Sequence, residues 1–328
     1  MKSLVARIKK LYGLELHSPE RVAKGFLSEN HILLGDGTKY FLKRYRFDSK
    51  DRIQEIHVAK RYFADGGIPV ILPIVNKESS TFFFCDGGYF ALFPFVIGWQ
   101  PERGSLSDIA VESLGETLGR IHLLGRDADV PIKERFKPWD KQEALERIKV
   151  IDSEIKKKSE LTDFDKLALE SIIAKKRLME ANLAVYEDFD LPADHLIHGD
   201  YLDHNVFFGT DDHVSHVFDL EKTEYSPRMF ELFRSLMYTF VSGRAGLGEM
   251  EKVKRYLGAY RKVYPTRDDE LSSGLKLFYL KVIHGTWIES EHYLRNNMRI
   301  DHFFLGDFRR MSYLADHLKE FENEILRS

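Results

Sequence analysis

Residues 198–208 read His-Gly-Asp-Tyr-Leu-Asp-His-Asn-Val-Phe-Phe, and residues 217–221 read Val-Phe-Asp-Leu-Glu. Four residues separate Asp200 from Asn205. At that spacing an acid can take the proton of an attacking hydroxyl while an amide oxygen holds magnesium. Asp219 lies fourteen residues beyond Asn205, at the end of an apolar run that follows a short turn. The chain can therefore bring a second oxygen ligand back to the same ion, and magnesium, a hard cation, takes oxygen ligands. A plainer reading lets Asp200 and Asp203 cap turns and Asn205 satisfy a loop. It gives no reason for so many polar groups between apolar strands.

These residues need a scaffold, and the chain divides into two unlike parts. In the first hundred residues turn signals break the pattern into short apolar runs. Gly35-Asp36-Gly37 between two such runs predicts a hairpin. Ile53, Ile56, Ala59 and Phe63 predict a helix over 49–63 that stops at Gly66-Gly67. Strands are expected at 81–85 and 89–93 around Asp86-Gly87-Gly88. From residue 107 onward the spacing becomes helical, with helices predicted over 109–124, 141–158, 163–186, 228–242, 249–263, 270–295 and 307–326. Residues 195–224 interrupt this series with loops on short strands, the kind of element on which chemistry usually sits.

The 328 residues predict about two domains or lobes. With 43% hydrophobic and 31% charged residues, disorder, collagen-like repeats and a coiled-coil rod are excluded. A formal net charge of -3 lacks the basic excess of a nucleic-acid binder. The single cysteine, Cys85, allows no intramolecular disulfide and no cysteine zinc cluster, which suits a reducing compartment. No segment has the apolar length of a signal peptide or a membrane helix, so a cytoplasmic protein is expected.

His198-Gly199-Asp200-x4-Asn205 followed by Val217-Phe218-Asp219-Leu220-Glu221 resembles the aminoglycoside phosphotransferase and choline kinase-like family over nearly the whole chain. The resemblance implies an α+β, protein-kinase-like bilobal fold, with a small antiparallel N-terminal lobe over 1–97 and a larger, mainly helical lobe over 98–328. It also implies Asp200 as catalytic base and Asn205 and Asp219 as magnesium ligands, with ATP as phosphoryl donor. Lys43 matches the strand lysine that reaches the ATP phosphates, and Glu55 matches the glutamate that pairs with it. Ser28 and Asn30 stand in the phosphate-covering turn, which has only Gly25 near it. Residues 90–98, with Phe93 and Phe95, resemble the connection against which adenine stacks. His122 is expected to be a structural histidine. Glu231, standing where the family usually has Asp, is expected to brace the catalytic loop from the first turn of a helix.

The implied activity is transfer of the γ-phosphoryl of ATP to a hydroxyl of a small molecule: an aminoglycoside-like compound, an amino alcohol, homoserine or a sugar. A protein serine or threonine kinase and a catalytically silent nucleotide-binding module are the alternatives, and a carboxylate-cluster hydrolase is a more distant one. For the acceptor, Trp287 and Glu291 on one predicted helical face suit a cationic or polyhydroxy compound, and Tyr201 and Asp203 lie within reach in the catalytic loop. The charged stretches at 156–158 and 175–177, in an insertion spanning 141–186, are expected to be solvated.

Overall fold

The computed structural model describes residues 2–16, 20–21, 30–35, 37–102, 105–132, 136–242 and 249–327. Ser28 and Gly25 lie outside the described residues. The N-terminal part begins with α1 (Lys2–Tyr12), followed by β1 (Glu20–Arg21), β2 (Asn30–Gly35), β3 (Thr38–Arg44), α2 (Lys50–Asp65), β4 (Phe83–Cys85) and β5 (Gly88–Pro94). The strands form one antiparallel sheet in the order β1-β2-β3-β5-β4.

Alternation along the strands assigns its two faces. Leu42, Phe90 and Leu92 pack with Leu4, Ile8 and Leu11 of α1. Tyr45, Ala91 and Phe93 pack with Ile53 of α2. Lys43 is two residues from Phe41 and Tyr45, so the period of two puts it on the α2 face. Ser49 caps α2 by accepting from the Arg52 N–H, which satisfies one of the helix's orphan donors.

Beyond β5 the chain runs extended to Trp99, whose backbone exchanges hydrogen bonds with Phe208 at 3.2 and 3.0 Å. The division proposed at residue 97 falls in this connection. The larger part contains α3 (Asp108–Arg126), α4 (Lys141–Lys156), α5 (Asp163–Ala181), β6 (His195–Ile197), β7 (Val206–Phe208), β8 (Val214–Val217), β9 (Glu224–Ser226), α6 (Arg228–Phe240), α7 (Met250–Val263), α8 (Asp268–His284), α9 (Trp287–Arg295) and α10 (Phe304–Leu326). β6 pairs with β9, and β7 pairs with β8. The architecture is thus the α+β arrangement expected, a small antiparallel sheet followed by a mostly helical remainder.

Three expectations need correction. The helix predicted over 270–295 is two helices, because Gly285 (φ -73, ψ 124) is extended and turns α9 away from α8. The helix predicted over 163–186 ends at Ala181, where Asn182 (φ -99, ψ 117) is extended. Lys175 is buried rather than solvated. It pairs with the buried Glu289 of α9 at 2.6 Å, and Ser171 Oγ donates to the same carboxylate at 3.1 Å.

This ion pair lies beside a second core in which Ile148, Ile151, Ile155 and Ile172 meet Ile283, Ile288 and Met311. Removing one partner strands a buried charge, so Glu289→Ala is expected to cost about 3 kcal/mol or more. Chemical denaturation reads this directly. Lys175→Met combined with Glu289→Leu should recover most of the loss, and a single-variant cost below about 1 kcal/mol would mark the pair as incidental.

Candidate functional site

β6 delivers the chain into the loop that starts at His198. Gly199 has φ +84, and a Cβ there would lie 2.1 Å from the Lys222 carbonyl oxygen. Only glycine lets the loop cross the Leu220–Lys222 turn this closely. His198 is fully buried. Its Nδ1 accepts from the Asp200 N–H at 3.2 Å, so Nε2 carries the proton and donates to the Phe218 carbonyl at 2.8 Å. Burial holds the ring below its usual pKa, in keeping with this neutral tautomer. His198 thereby joins the Asp200 loop to the segment that carries Asp219.

Glu231 secures the loop from the other side. Its carboxylate accepts from the backbone N–H of His198 at 3.0 Å and of Tyr201 at 3.3 Å, and lies 3.1 Å from His122 Nε2. Burial raises the Glu231 carboxyl pKa, but the His122 hydrogen bond and the other partners outweigh it and hold the group below its ordinary range. His122 is wholly buried, bonded also to the Tyr260 hydroxyl at 2.8 Å, and pushed by burial to about 4. Both residues brace the loop from within the core.

Asp200, Asn205 and Asp219 are brought together. Asn205 Nδ2 donates to the Asp200 carbonyl at 2.8 Å, and the Asn205 carbonyl accepts from the Phe218 N–H at 3.1 Å. Asp219 adopts a left-handed backbone (φ 63, ψ 48) at the end of β8, which turns the chain into the Leu220–Lys222 turn. Lys43 Nζ donates to Asp219 Oδ1 at 2.8 Å and is also in ion-pair contact with Glu221. Burial raises the Asp219 carboxyl, but the Lys43 charge and hydrogen bond outweigh it, and the group sits below its usual range.

Lys43 therefore takes its counter-charges from Asp219 and Glu221, and the expected Lys43–Glu55 pair does not form. Glu55 instead lies 3.3 Å from Arg52 Nη1, and Arg52 Nη2 donates to the carbonyls of Glu221 at 2.7 Å and Thr223 at 2.8 Å. Glu55 helps orient the arginine that clamps α2 onto the Leu220–Lys222 turn. What α2 presents toward the cleft is Lys60.

The cleft between the β3–β5 sheet with α2 and the β7–β8 pair has a cavity volume of about 130 Å³. Phe41, Tyr45, Phe93, Phe95 and Val96 supply its apolar side, with Phe207 and Phe218 opposite, and Lys43, Lys60, Asp219 and Glu221 supply the polar end. Asn30 sits directly across from Lys43 in the strand register, and its Oδ1 has no hydrogen-bond partner among the described residues. Glu221 Oε1 is likewise buried without one, its contact with Lys43 being an ion pair of poor hydrogen-bond geometry. Among the described residues no three His, Cys, Asp or Glu side chains converge at metal-binding spacing. The oxygens of Asn205 and Asp219 nonetheless fit magnesium, which takes one or two protein oxygens and fills the rest of its shell with water and phosphate.

The acceptor residues fare differently. Tyr201 is fully buried with its hydroxyl on the Leu114 carbonyl at 3.1 Å, so it is a core residue and touches no acceptor. Asp203 is buried, 3.3 Å from His204 Nδ1. The Glu291 carboxylate is taken up by Asn297 at 2.7 Å and by Arg295, closing the end of α9. Trp287 is half exposed, donates to Asp307 at 3.2 Å, and lines a cavity with Tyr238, Lys281 and Arg310.

Sequence reasoning missed the groups nearest the Asp200 carboxylate. Lys222 Nζ donates to Oδ2 at 2.9 Å and Arg234 contacts Oδ1. A signal existed for Arg234, which stands three residues after Glu231 on α6 and so shares its face. Burial raises the Asp200 carboxyl, but Arg234 and Lys222 outweigh it and hold the group well below the carboxylate range.

Lys60 was missed as well. It is 4% exposed, and its ammonium lies 5.5 Å from the Phe93 ring with neither hydrogen bond nor ion pair among the described residues. Burial, then the nearby Lys43 charge, push it down to about 7. Between that value and the unfolded value near 10.5 the unfolded chain binds more protons, so stability rises with pH across this window. The penalty is complete below about pH 7. Lys60→Met should therefore raise the denaturation midpoint most near about pH 6, and the gain should shrink by about pH 9.5. An equal gain at both pH values would show that the charge is not its source.

Comparison with solved structures gives the fold. A spectinomycin phosphotransferase crystallised with ADP and spectinomycin shares 16% identity, with 100% of this chain and 98% of that one covered at a TM-score of 0.62. A microcompartment-associated aminopropanol kinase shares 15%, covering 98% and 99% at 0.64. Choline kinase from Cryptosporidium parvum shares 13%, covering 99% and 97% at 0.60. The fold is accordingly the protein-kinase-like one. No curated protein matches the chain by sequence. The profile of the phosphotransferase enzyme family matches residues 19–266. With Asp200, Asn205 and Asp219 gathered inside that span, this chain belongs to the phosphotransferase enzyme family.

Proposed function

We propose that this chain is an ATP- and magnesium-dependent kinase that moves the γ-phosphoryl of ATP to a hydroxyl of a small molecule. The observation that carries the reading is that Lys43 and Asp219 meet at the polar end of a largely apolar cleft, with Asn205 bonded to the Asp200 carbonyl on one side and to Phe218, next to Asp219, on the other. Adenine, flat and apolar on its faces, suits Phe93, Phe95 and Phe207. Lys43 stands where the phosphates would enter. Asn205 and Asp219 would hold magnesium, which when bound offsets the charge of the phosphates.

Asp200 accepts a hydrogen bond from the acceptor hydroxyl and aims its oxygen at the phosphorus. Because Arg234 and Lys222 depress its basicity, it orients the hydroxyl first and receives the proton late, as suits a loose transition state that needs little nucleophile activation. Most of the rate then comes from positioning. Magnesium-dependent ATP consumption against hydroxyl compounds tests the reading. Turnover that chelation abolishes supports it, and failure to bind ATP with magnesium would overturn it.

A further inference from the structure

Two cations contact Asp200, although one would neutralise it. Lys222 and Arg234 share this single carboxylate. A third cation, Lys281 of α8, lies close enough for its charge to act on Lys222. Burial lowers the Lys222 pKa, and the Arg234 and Lys281 charges push the same way against Asp200.

Tyr238 organises the group. The Arg234 guanidinium lies 4.9 Å from its ring and Lys281 Nζ 5.0 Å, and Lys281 also donates to its hydroxyl at 2.8 Å. Arg310 lies on the same ring at 4.5 Å but has Asp307 as its own counter-ion at 2.8 Å. Lys281 has no carboxylate partner among the described residues. Among the described residues Asp200 is the only carboxylate in contact with Lys222, Arg234 or Lys281, while the buried Glu231 acts on Arg234 from farther off. Such a field repels an ammonium-bearing acceptor and concentrates an anion.

We propose that the hydroxyl acceptor itself carries an oxyanion, a carboxylate or a phosphate monoester, that docks on Lys222, Arg234 and Lys281; this rests on the kinase reading above. The acceptor oxygen forms a bond to the γ-phosphorus, the bond from that phosphorus to the bridging oxygen of ADP breaks, and the hydroxyl proton passes to Asp200. With its oxyanion held by the lysines and arginine, the hydroxyl is left facing Asp200.

The test compares matched acceptors of three to six carbons: hydroxy acids such as glycerate, phosphate monoesters such as glycerol 3-phosphate, neutral polyols such as glycerol, and amino alcohols such as 3-amino-1,2-propanediol. Each is assayed for ATP consumption, with binding of a non-hydrolysable ATP analogue and magnesium measured alongside by calorimetry. Expected is a kcat/KM for one of the two anionic classes at least about tenfold above that of the neutral and cationic ones, and the two anionic arms tell carboxylate from phosphate. Lys281→Met should then raise the acceptor KM about tenfold with the ATP KM unchanged, and Lys281→Arg should restore it. Best turnover of a polyol or an amino alcohol, no turnover of any anion, or a Lys281→Met effect on the ATP KM instead would each overturn the inference. Analogue binding retained in those cases leaves the kinase reading standing; absence of analogue binding would defeat that reading itself.

Discussion

Asp200→Asn lowers kcat by about 10³-fold, within the range expected when a positioned acid-base group is lost, and leaves nucleotide affinity near that of the parent chain. The amide keeps the shape of the side chain but can neither take the hydroxyl proton nor offset its two cations. Asp200 contacts Lys222 and Arg234 and has no contact with Lys43, which keeps its own partners Asp219 and Glu221. The loss therefore falls on the chemical step and on the acceptor. It also falls on stability. The folded Asp200 pKa lies below its unfolded value, so the carboxylate contributes stability above about pH 4, which is lost as pH falls through the folded pKa. The variant should accordingly denature more easily than the parent at neutral pH, with the difference narrowing in acid. Steady-state turnover together with calorimetric nucleotide binding checks both parts. Near-parental turnover would remove Asp200 from the reaction.

What could be read in advance follows from how local each feature is. The loop 198–205 and Asp219 were legible because a few adjacent residues fix their geometry: Gly199 permits the crossing, and the β7–β8 pair returns the chain over a short distance. Helix α2 was legible from its apolar spacing. The partner of Lys43 was not, since it depends on which face of α2 turns toward β3, and the fold turns Lys60 to the cleft while Glu55 helps hold Arg52. Helix α1 lies outside the predicted helices although Leu4, Ile8 and Leu11 have helical spacing, since three apolar positions in so short a segment are a weak signal until the sheet buries them. Lys175 resembled its exposed neighbours until Glu289 arrived from a helix more than a hundred residues away. The cations around Asp200 come from three separate segments, so no window of sequence contains them together. Length and charge bounded the answer, but the field at the acceptor side is a property of the assembled fold.

Asp219→Asn separates the metal from the nucleotide. In the parent chain the Asp219 carboxylate is one of two anions beside Lys43, and Asn205 is the other oxygen donor positioned for magnesium. Replacing the carboxylate by an amide weakens the hold on magnesium, and a metal that offsets several kcal/mol of transition-state charge is worth on the order of 10³-fold in kcat/KM. ATP without metal responds in the opposite direction. A carboxylate repels a triphosphate, so its removal should leave metal-free ATP bound at least as tightly as before, with Lys43 still held by Glu221. Titrating the analogue with and without magnesium distinguishes the two effects: in the parent chain magnesium tightens binding, and in Asp219→Asn the tightening largely disappears while the metal-free affinity is kept or improved. Glu221→Gln gives the contrast. Its Oε1 has no hydrogen bond to lose and Lys43 retains Asp219, so a much smaller loss of the magnesium effect is expected. If Glu221→Gln removed the effect and Asp219→Asn preserved it, the carboxylate ligand would be Glu221, and the left-handed turn at Asp219 would serve to hold Lys43 rather than the metal.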